Sequence, residues 1–133
     1  MALTLVVVTP EQTVLETEAD FVALPLYDGE IGILPGRAPL IGRLGFGEMR
    51  IKQSGVTTSY YVDGGFVQVV GDEISVMTGR AMLATRIDVP AAQKQLEVEL
   101  KKTAPTEEEQ SLKNRHITQA RAQIHTGQKA GVR

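Results

Sequence analysis

The stretch GEMRIKQSGVTTSYYVD, residues 47–63, decides the fold class because it carries the period of a β-hairpin. In its first half, Glu48 and Arg50 alternate with Met49 and Ile51, so charged and apolar side chains point to opposite faces of one strand. The segment QSG at 53–55 supplies a turn, and a β-branched and aromatic run at 56–62 returns. This pattern predicts two antiparallel strands joined by a tight turn.

Similar segments lie on both sides of this hairpin. LTLVVVT at 3–9 and DFVALPL at 20–26 are apolar on both faces, and FVQVVGDEISVMT at 66–78 repeats the hairpin pattern. Short strands at this spacing, with no helical period between them, predict an antiparallel β-sandwich or barrel up to residue 86.

The period changes to that of helices at Ile87. Asp88 is predicted to cap a first helix, Thr106 is predicted to cap a second, and Gly127 is predicted to end it. The apolar stripes of the two helices include Leu100 and Leu112 but few other large side chains. We therefore expect docking on the β body to hold the two helices, and we expect them to undock at modest cost.

Composition excludes several classes of function. With 133 residues the chain is one domain, or one domain with an appendage, and the absence of cysteine excludes disulfides and thiol chemistry. A net charge of −2 gives no basic face for a nucleic acid, and the longest apolar run, LTLVVV, is too short to cross a membrane. Residues 87–133 carry eight Lys or Arg against six Asp or Glu, which suits either an acidic partner surface or an ordinary solvated pair of helices.

The sequence gives no pattern for catalysis, a metal or a cofactor. The glycine-rich stretch YDGEIGILPGRAPLI at 27–41 has neither the spacing of a phosphate loop nor a helix after it. The two histidines, His116 and His125, have no Cys or carboxylate at ligand spacing, and no histidine in the β part can activate a nucleophile. We therefore expect a non-catalytic protein that acts through protein contacts.

Three segments resemble the epsilon subunit of F-type ATP synthases. They are DGEIGILPGRAPLI at 28–41, DGGFVQVVGDEISVMTGRA at 63–81 and RIDVPAAQ at 86–93. The resemblance implies an α+β, mainly β fold: a ten-stranded antiparallel β-sandwich at 1–86, followed by an antiparallel two-helix hairpin at 87–133. It also implies a non-catalytic subunit of the rotating central stalk. Such a subunit binds gamma and the c-subunit ring of a proton-translocating synthase and couples c-ring rotation to the catalytic head, and its hairpin can rise toward the alpha and beta subunits and inhibit ATP hydrolysis.

The resemblance also assigns contact residues by position. Thr9, Asp28 and Glu30 fall at the end of the sandwich that faces the c ring, and Arg37 falls near gamma. The basic residues of the second helix, Lys113, Arg115 and Arg121, fall where a raised helix approaches an acidic loop of the catalytic subunits.

An ATP-responsive switch is the alternative function. Some bacterial relatives bind ATP through Ile or Leu, Asp, two variable residues, and then Arg-Ala. Ile87 and Asp88 fit this motif, but Ala91 stands where it has Arg, which removes the main charge-assisted contact to phosphate. A free-standing sandwich that binds a carbohydrate or peptide stays open on fold class alone.

The expected location is the cytoplasmic face of a bacterial inner membrane, with a plastid origin as a minor alternative and membrane association only through the complex.

Overall fold

The computed structural model describes residues 2–36 and 39–131, with side chains up to residue 129. Its strands come first along the chain and its two long helices last. A short 3₁₀ turn, Ala84–Arg86, separates them. The strands are β1 Leu3–Val8, β2 Thr13–Ala19, β3 Phe21–Leu26, β4 Gly29–Ile33, β5 Leu40–Gln53, β6 Val56–Val70, β7 Glu73–Met77 and β8 Ala81–Leu83, and the helices are α1 Val89–Lys101 and α2 Glu107–Gly131.

The described strands number eight, so the expected count of ten is wrong, although the sandwich class is confirmed. They are hydrogen-bonded in the order β2-β1-β7-β6-β5-β3-β4, and β8 pairs with β6. The count is lower because β5 and β6, of 14 and 15 residues, each run through both layers as one continuous strand. Glycines at the crossing point let these strands continue: Gly65 has φ +103, and a Cβ there would overlap the carbonyl oxygen of Met77.

One strand pair also departs from the expected antiparallel pattern. Strand β1 pairs with β7 in parallel, from Thr4 opposite Glu73 to Val8 opposite Met77. These two strands are far apart in the chain and are not joined by a hairpin, so neither direction is excluded by the connection. The sheet is therefore mixed.

The core lies between the two layers and is aliphatic. Alternate residues of β1 point into it, as do Val67 and Val69 of β6 from the same layer. Met49 and Ile51 of β5 enter from the other layer, as the alternation in the sequence predicts. The turn that joins β5 and β6 has positive φ at Ser54 and Gly55, +52° and +81°, as a tight hairpin turn requires.

The two helices run antiparallel, because the start of α1 contacts the end of α2. The predicted caps are confirmed: Asp88 Oδ1 accepts from Ala91 N at 3.0 Å, and Thr106 Oγ1 accepts from Glu109 N at 3.1 Å. Gly127 does not end α2, which continues to Gly131. A Cβ on Gly127 would lie 2.6 Å from Val89 Cγ2, so this glycine allows a close helix approach instead.

The predicted apolar stripes are only partly buried. Leu100 and Leu112 are about half exposed, at 49% and 53%, while the charged residue Glu99 is buried between the helices. Glu99 accepts from Lys102 Nζ at 2.9 Å and lies 3.3 Å from His116 Nδ1. The hydrogen bond from Lys102 holds the pKa of Glu99 below its ordinary value.

Candidate functional site

The outer side of the β1-β7-β6-β5 layer carries an apolar face, made of Ile41, Phe66, Val70 and Met77. Phe66 and Met77 are directly opposite each other on β6 and β7, and Val70 lies on the same side of β6. The exposed fractions of the four side chains are 75%, 55%, 57% and 46% in residue order. An apolar patch of this kind on a folded surface is typical of a protein-contact site.

An aromatic and a cationic side chain extend this apolar face toward the glycine-rich turn. Arg43 is opposite Phe66 in the β5–β6 register, and its guanidinium lies 4.4 Å from the ring centre of Tyr27. Tyr27 itself is 70% exposed. The face therefore includes aromatic, methionine and arginine side chains, which are enriched in the cores of protein interfaces.

A second surface is the polar seam between the sandwich and α2, formed by Glu48, Tyr61 and Asp63 of the sheet and Gln119 and Lys129 of the helix. Gln119 Nε2 donates to both carboxylate oxygens of Asp63, at 3.0 and 3.1 Å, and Lys129 Nζ lies 2.9 Å from Glu48 Oε1. Tyr61 is fully buried under the helix, and its hydroxyl donates to Asp63 Oδ1 at 3.0 Å. Burial, and secondly the Asp63 charge, raise the pKa of Tyr61 well above its ordinary range.

The seam explains a burial that the strand pattern could not predict. Glu48 points to the outer side of β5, as expected, but its side chain is only 8% exposed because α2 covers it. Two small residues of α2 are fully buried: Ala120 and Thr126 are 0% and 1% exposed. Toward the start of α2 the helix stands off, leaving an open groove of about 790 Å³ beside Gly64 and Gly65. Polar contacts of Gln119 and Lys129, in the second half of α2, thus connect the hairpin to the sheet.

Comparison with known proteins identifies the family. The family model described as "ATP synthase, Delta/Epsilon chain, beta-sandwich domain" matches residues 2–84. An ATP synthase epsilon chain from Rhodopirellula baltica is 46% identical over 93% of this chain and 97% of its own length. The chain belongs to the ATP synthase epsilon-chain family. Another epsilon chain of the family, from Synechococcus sp. (strain JA-2-3B'a(2-13)), is 35% identical over 92% of this chain and 89% of its own length.

Solved structures show the same fold at lower identity. A chain of the Euglena gracilis mitochondrial ATP synthase OSCP/F1/c-ring structure has a TM-score of 0.81 at 20% identity, covering 99% of this chain and 82% of its own. A chain of the Tetrahymena thermophila mitochondrial ATP synthase central stalk/c-ring structure has a TM-score of 0.74 at 12% identity, covering 96% and 97%. The epsilon-family chain is therefore structurally similar to subunits of ATP synthase central-stalk assemblies.

Two of the residues assigned to the c ring are close in the chain: Asp28 lies in the turn between β3 and β4, and Glu30 lies at the start of β4. Asp28 is exposed, and the side chain of Glu30 is 52% exposed and paired with Arg50, at 2.7 Å from Nη2 to Oε1. Thr9 follows the end of β1; its hydroxyl donates to the carbonyl of Gln12 at 3.2 Å. Their contact roles stay predictions. The predicted gamma contact, Arg37, lies outside the described residues.

Docked α2 does not bring its three predicted inhibitory residues to one face. Lys113 is half-buried and donates from Nζ to the carbonyl of Lys102 at 2.8 Å, which ties it to the end of α1. Arg115 lines the open groove, and Arg121 is exposed. The inhibitory role of these residues is untested by the docked arrangement and stays a prediction.

The residues of the nucleotide motif have structural uses here. Asp88 caps α1. Ile87 packs against Gly127 of α2, so that a Cβ added to Gly127 would lie 3.1 Å from Ile87 Cγ2. Ala91, where the motif has Arg, is exposed.

Between residues 2 and 131, omitting 37 and 38, no three His, Cys, Asp or Glu side chains are grouped as metal ligands. Neither α1 nor α2, the long helices of the same described ranges, combines the length and apolar character that a membrane span requires.

Proposed function

We propose that this chain is a non-catalytic rotor subunit that couples c-ring rotation to the catalytic head through gamma. The observation that carries the proposal is the apolar face. Four large apolar side chains on one side of a sheet are exposed to water in the isolated chain. Docking on another protein would remove them from water and gain favourable contacts. The relatives in the epsilon-chain family support an ATP synthase subunit as that protein.

Gamma is the partner proposed for the apolar face. The face begins at Ile41, close in sequence to the position that the family places near gamma. The test is co-purification of the full chain with gamma, comparing the wild type with Phe66→Glu. Replacing the aromatic ring at the centre of the face by a carboxylate removes apolar contact and places a charge in the interface, so it should lower the affinity for gamma by at least about ten-fold.

The matched control is Val56→Glu, which adds the same charge at a residue that is 65% exposed near the β5–β6 turn, at the far end of β6 from the apolar face. It should bind gamma as the wild type does. Equal binding of gamma by Phe66→Glu and Val56→Glu would contradict the assignment of the face, and failure of the wild type to bind gamma would contradict the proposed function.

The c ring is the partner proposed for the β3–β4 turn, which holds Asp28, and for the adjoining start of β4, which holds Glu30. Partly or fully exposed carboxylates at this position contribute little to the core, so they are available to contact polar or basic groups of a neighbour. The hairpin is proposed to undock, rise along gamma and inhibit ATP hydrolysis. Through these partners the protein would sit at the cytoplasmic face of a bacterial inner membrane.

Nucleotide sensing forms no part of the proposed function, because Asp88 acts as a helix cap and Ala91 offers no guanidinium.

A further inference from the structure

Four charged side chains form a continuous line from the β3–β4 turn to the end of α2. This charge chain consists of Glu30, Arg50, Glu48 and Lys129. Arg50 donates to Glu30 from both terminal nitrogens, at 2.7 Å and 3.3 Å, and its Nη1 also lies 3.4 Å from Glu48 Oε1. Lys129 Nζ lies 2.9 Å from the same Glu48 oxygen. The signs alternate along the line.

Burial increases from both ends of the charge chain toward its middle. The side chains of Glu30 and Lys129 are 52% and 44% exposed, that of Arg50 is 28% exposed, and that of Glu48 is 8% exposed. A carboxylate as buried as Glu48 requires compensating cations, and its contact with Lys129 places part of that compensation on α2. The docking of α2 is therefore sensitive to how strongly Arg50 neutralises Glu48.

Arg50 divides its hydrogen bonds unequally between two carboxylates. Its short, two-point contact is with Glu30, and its contact with Glu48 is longer. The hydrogen bond with Glu30 raises the pKa of Arg50 above its ordinary value, so Arg50 carries its charge throughout the physiological pH range. Any group that takes over the carboxylate of Glu30 frees Arg50 to turn toward Glu48.

We propose that Arg50 couples the two ends of the charge chain, so that neutralising Glu30 weakens the attachment of α2 to the sandwich. A basic group of a partner that pairs with Glu30 releases Arg50, Arg50 moves closer to Glu48, and Lys129 loses part of its attraction to Glu48. The contact at the turn would thereby favour an undocked hairpin. This deepens the proposed function and rests on it only for the identity of the partner, because the coupling itself lies within the isolated chain.

The test uses amide hydrogen exchange of residues 119–129 in the full, isolated chain at low salt. Glu30→Gln removes the charge of Glu30 while keeping its size and should make these amides exchange about two- to five-fold faster, the range expected for a partly exposed ion pair. The matched control is Asp28→Asn, which removes a carboxylate two residues away, in the β3–β4 turn and outside the charge chain, and should leave the exchange rates of α2 unchanged.

Two further backgrounds make the result specific for Arg50 and Lys129. In Lys129→Gln and in Arg50→Gln, adding Glu30→Gln should produce no additional acceleration, because one link of the charge chain is already missing. Unchanged exchange in Glu30→Gln, or the same acceleration in the Lys129→Gln background, would overturn the proposal. Lys129→Gln alters a partly exposed helix residue and keeps the test available if Arg50→Gln does not fold. Because no partner is present, the outcome is independent of whether gamma or the c ring binds.

Discussion

Gln119 Nε2 lies 3.0 Å and 3.1 Å from the two carboxylate oxygens of Asp63, a residue 56 positions earlier in the chain. The same carboxylate accepts from the hydroxyl of Tyr61. One carboxylate thus joins the buried tyrosine of the sandwich to helix α2. Contacts of this kind are replaceable by water, unlike a packed apolar seam, so we expect that undocking of the helix would leave the aliphatic core covered.

Replacing Gln119 by Ala should loosen the hairpin without unfolding the sandwich. Loss of a hydrogen bond to a charged acceptor costs about 1–2 kcal/mol, which corresponds to about five- to thirty-fold faster amide exchange in α2. Strand amides should keep their rates. The control is Gln128→Ala, the same change at an exposed position of the same helix. Equal acceleration in both variants would show that the contact with Asp63 does not hold the helix.

Replacing Gly65 by Ala should destabilise the whole sandwich. The residue has φ +103, and a Cβ would overlap the carbonyl oxygen of Met77, so backbone strain and a steric clash add together. We expect a loss of at least about 3 kcal/mol in the free energy of unfolding, measured by urea denaturation. Gly71→Ala is the control, since Gly71 has φ +61 with open space around its Cβ position. It should lose only about 1–2 kcal/mol.

The hairpin should loosen at acid pH through Glu99. Lys102 lowers the pKa of Glu99 in the folded state below the ordinary 4.5, so folding favours the charged carboxylate. Its contribution is present above the unfolded pKa and is lost as the pH falls through the lowered folded pKa. Amide exchange at the α1–α2 contact, followed from pH 6 downward at constant salt, should therefore accelerate below about pH 4.5 beyond the intrinsic rate. Glu99→Gln should abolish this pH dependence, whereas Glu97→Gln, at an exposed neighbour, should preserve it.

Deleting residues 88–133 should leave assembly with gamma intact and raise ATP hydrolysis by the complex. The apolar face lies on the sandwich, so the proposed gamma contact survives the deletion, whereas the proposed inhibitory helix is removed. The measurement is the ATPase rate of reconstituted complexes that contain the wild type or the deletion variant. An unchanged rate would remove inhibition from the proposed function, and loss of assembly would place the gamma contact on the helices.

Glu30→Gln should reduce coupling in the assembled synthase more than it reduces stability. A partly exposed ion pair contributes about 0–1 kcal/mol to folding, so the melting temperature should change little. Proton pumping per ATP hydrolysed, measured in membrane vesicles, should fall. Glu16→Gln, at an exposed position of β2, serves as the control and should change neither quantity. Normal pumping in Glu30→Gln would exclude this carboxylate from the c-ring contact.

Local physics made several features predictable from the sequence. The two-residue alternation around Met49 predicted which side of β5 enters the core, and Ser54 and Gly55 predicted the turn. Asp88 and Thr106 predicted the starts of both helices, because capping depends only on residues within one helical turn. The family was also recognisable from the segments around 28–41 and 63–81.

Other features depended on the tertiary contacts of each residue, which the sequence pattern does not specify. Gly127 was expected to end a helix, but contact with Ile87 and Val89 keeps it inside one. Leu100 was expected in a buried apolar stripe but is half exposed, whereas its neighbour Glu99 is buried, because α1 meets α2 through an ion-paired contact. The strand count was wrong because β5 and β6 pair along nearly their whole lengths and each continues as a single long strand, β6 through Gly65.

The sequence by itself thus determined the strands, the turns, the caps and the family, since each depends on short-range periodicity or on a compact motif. Only the tertiary structure decided that β1 and β7 are parallel, that Glu48 is buried under α2, and that Ile41, Phe66, Val70 and Met77 share an uncovered face. The physical reason is that burial and ion pairing are properties of surfaces brought together by long-range contacts. Alternation along a strand specifies the two sides of that strand, and the packing of the other elements specifies which side is covered.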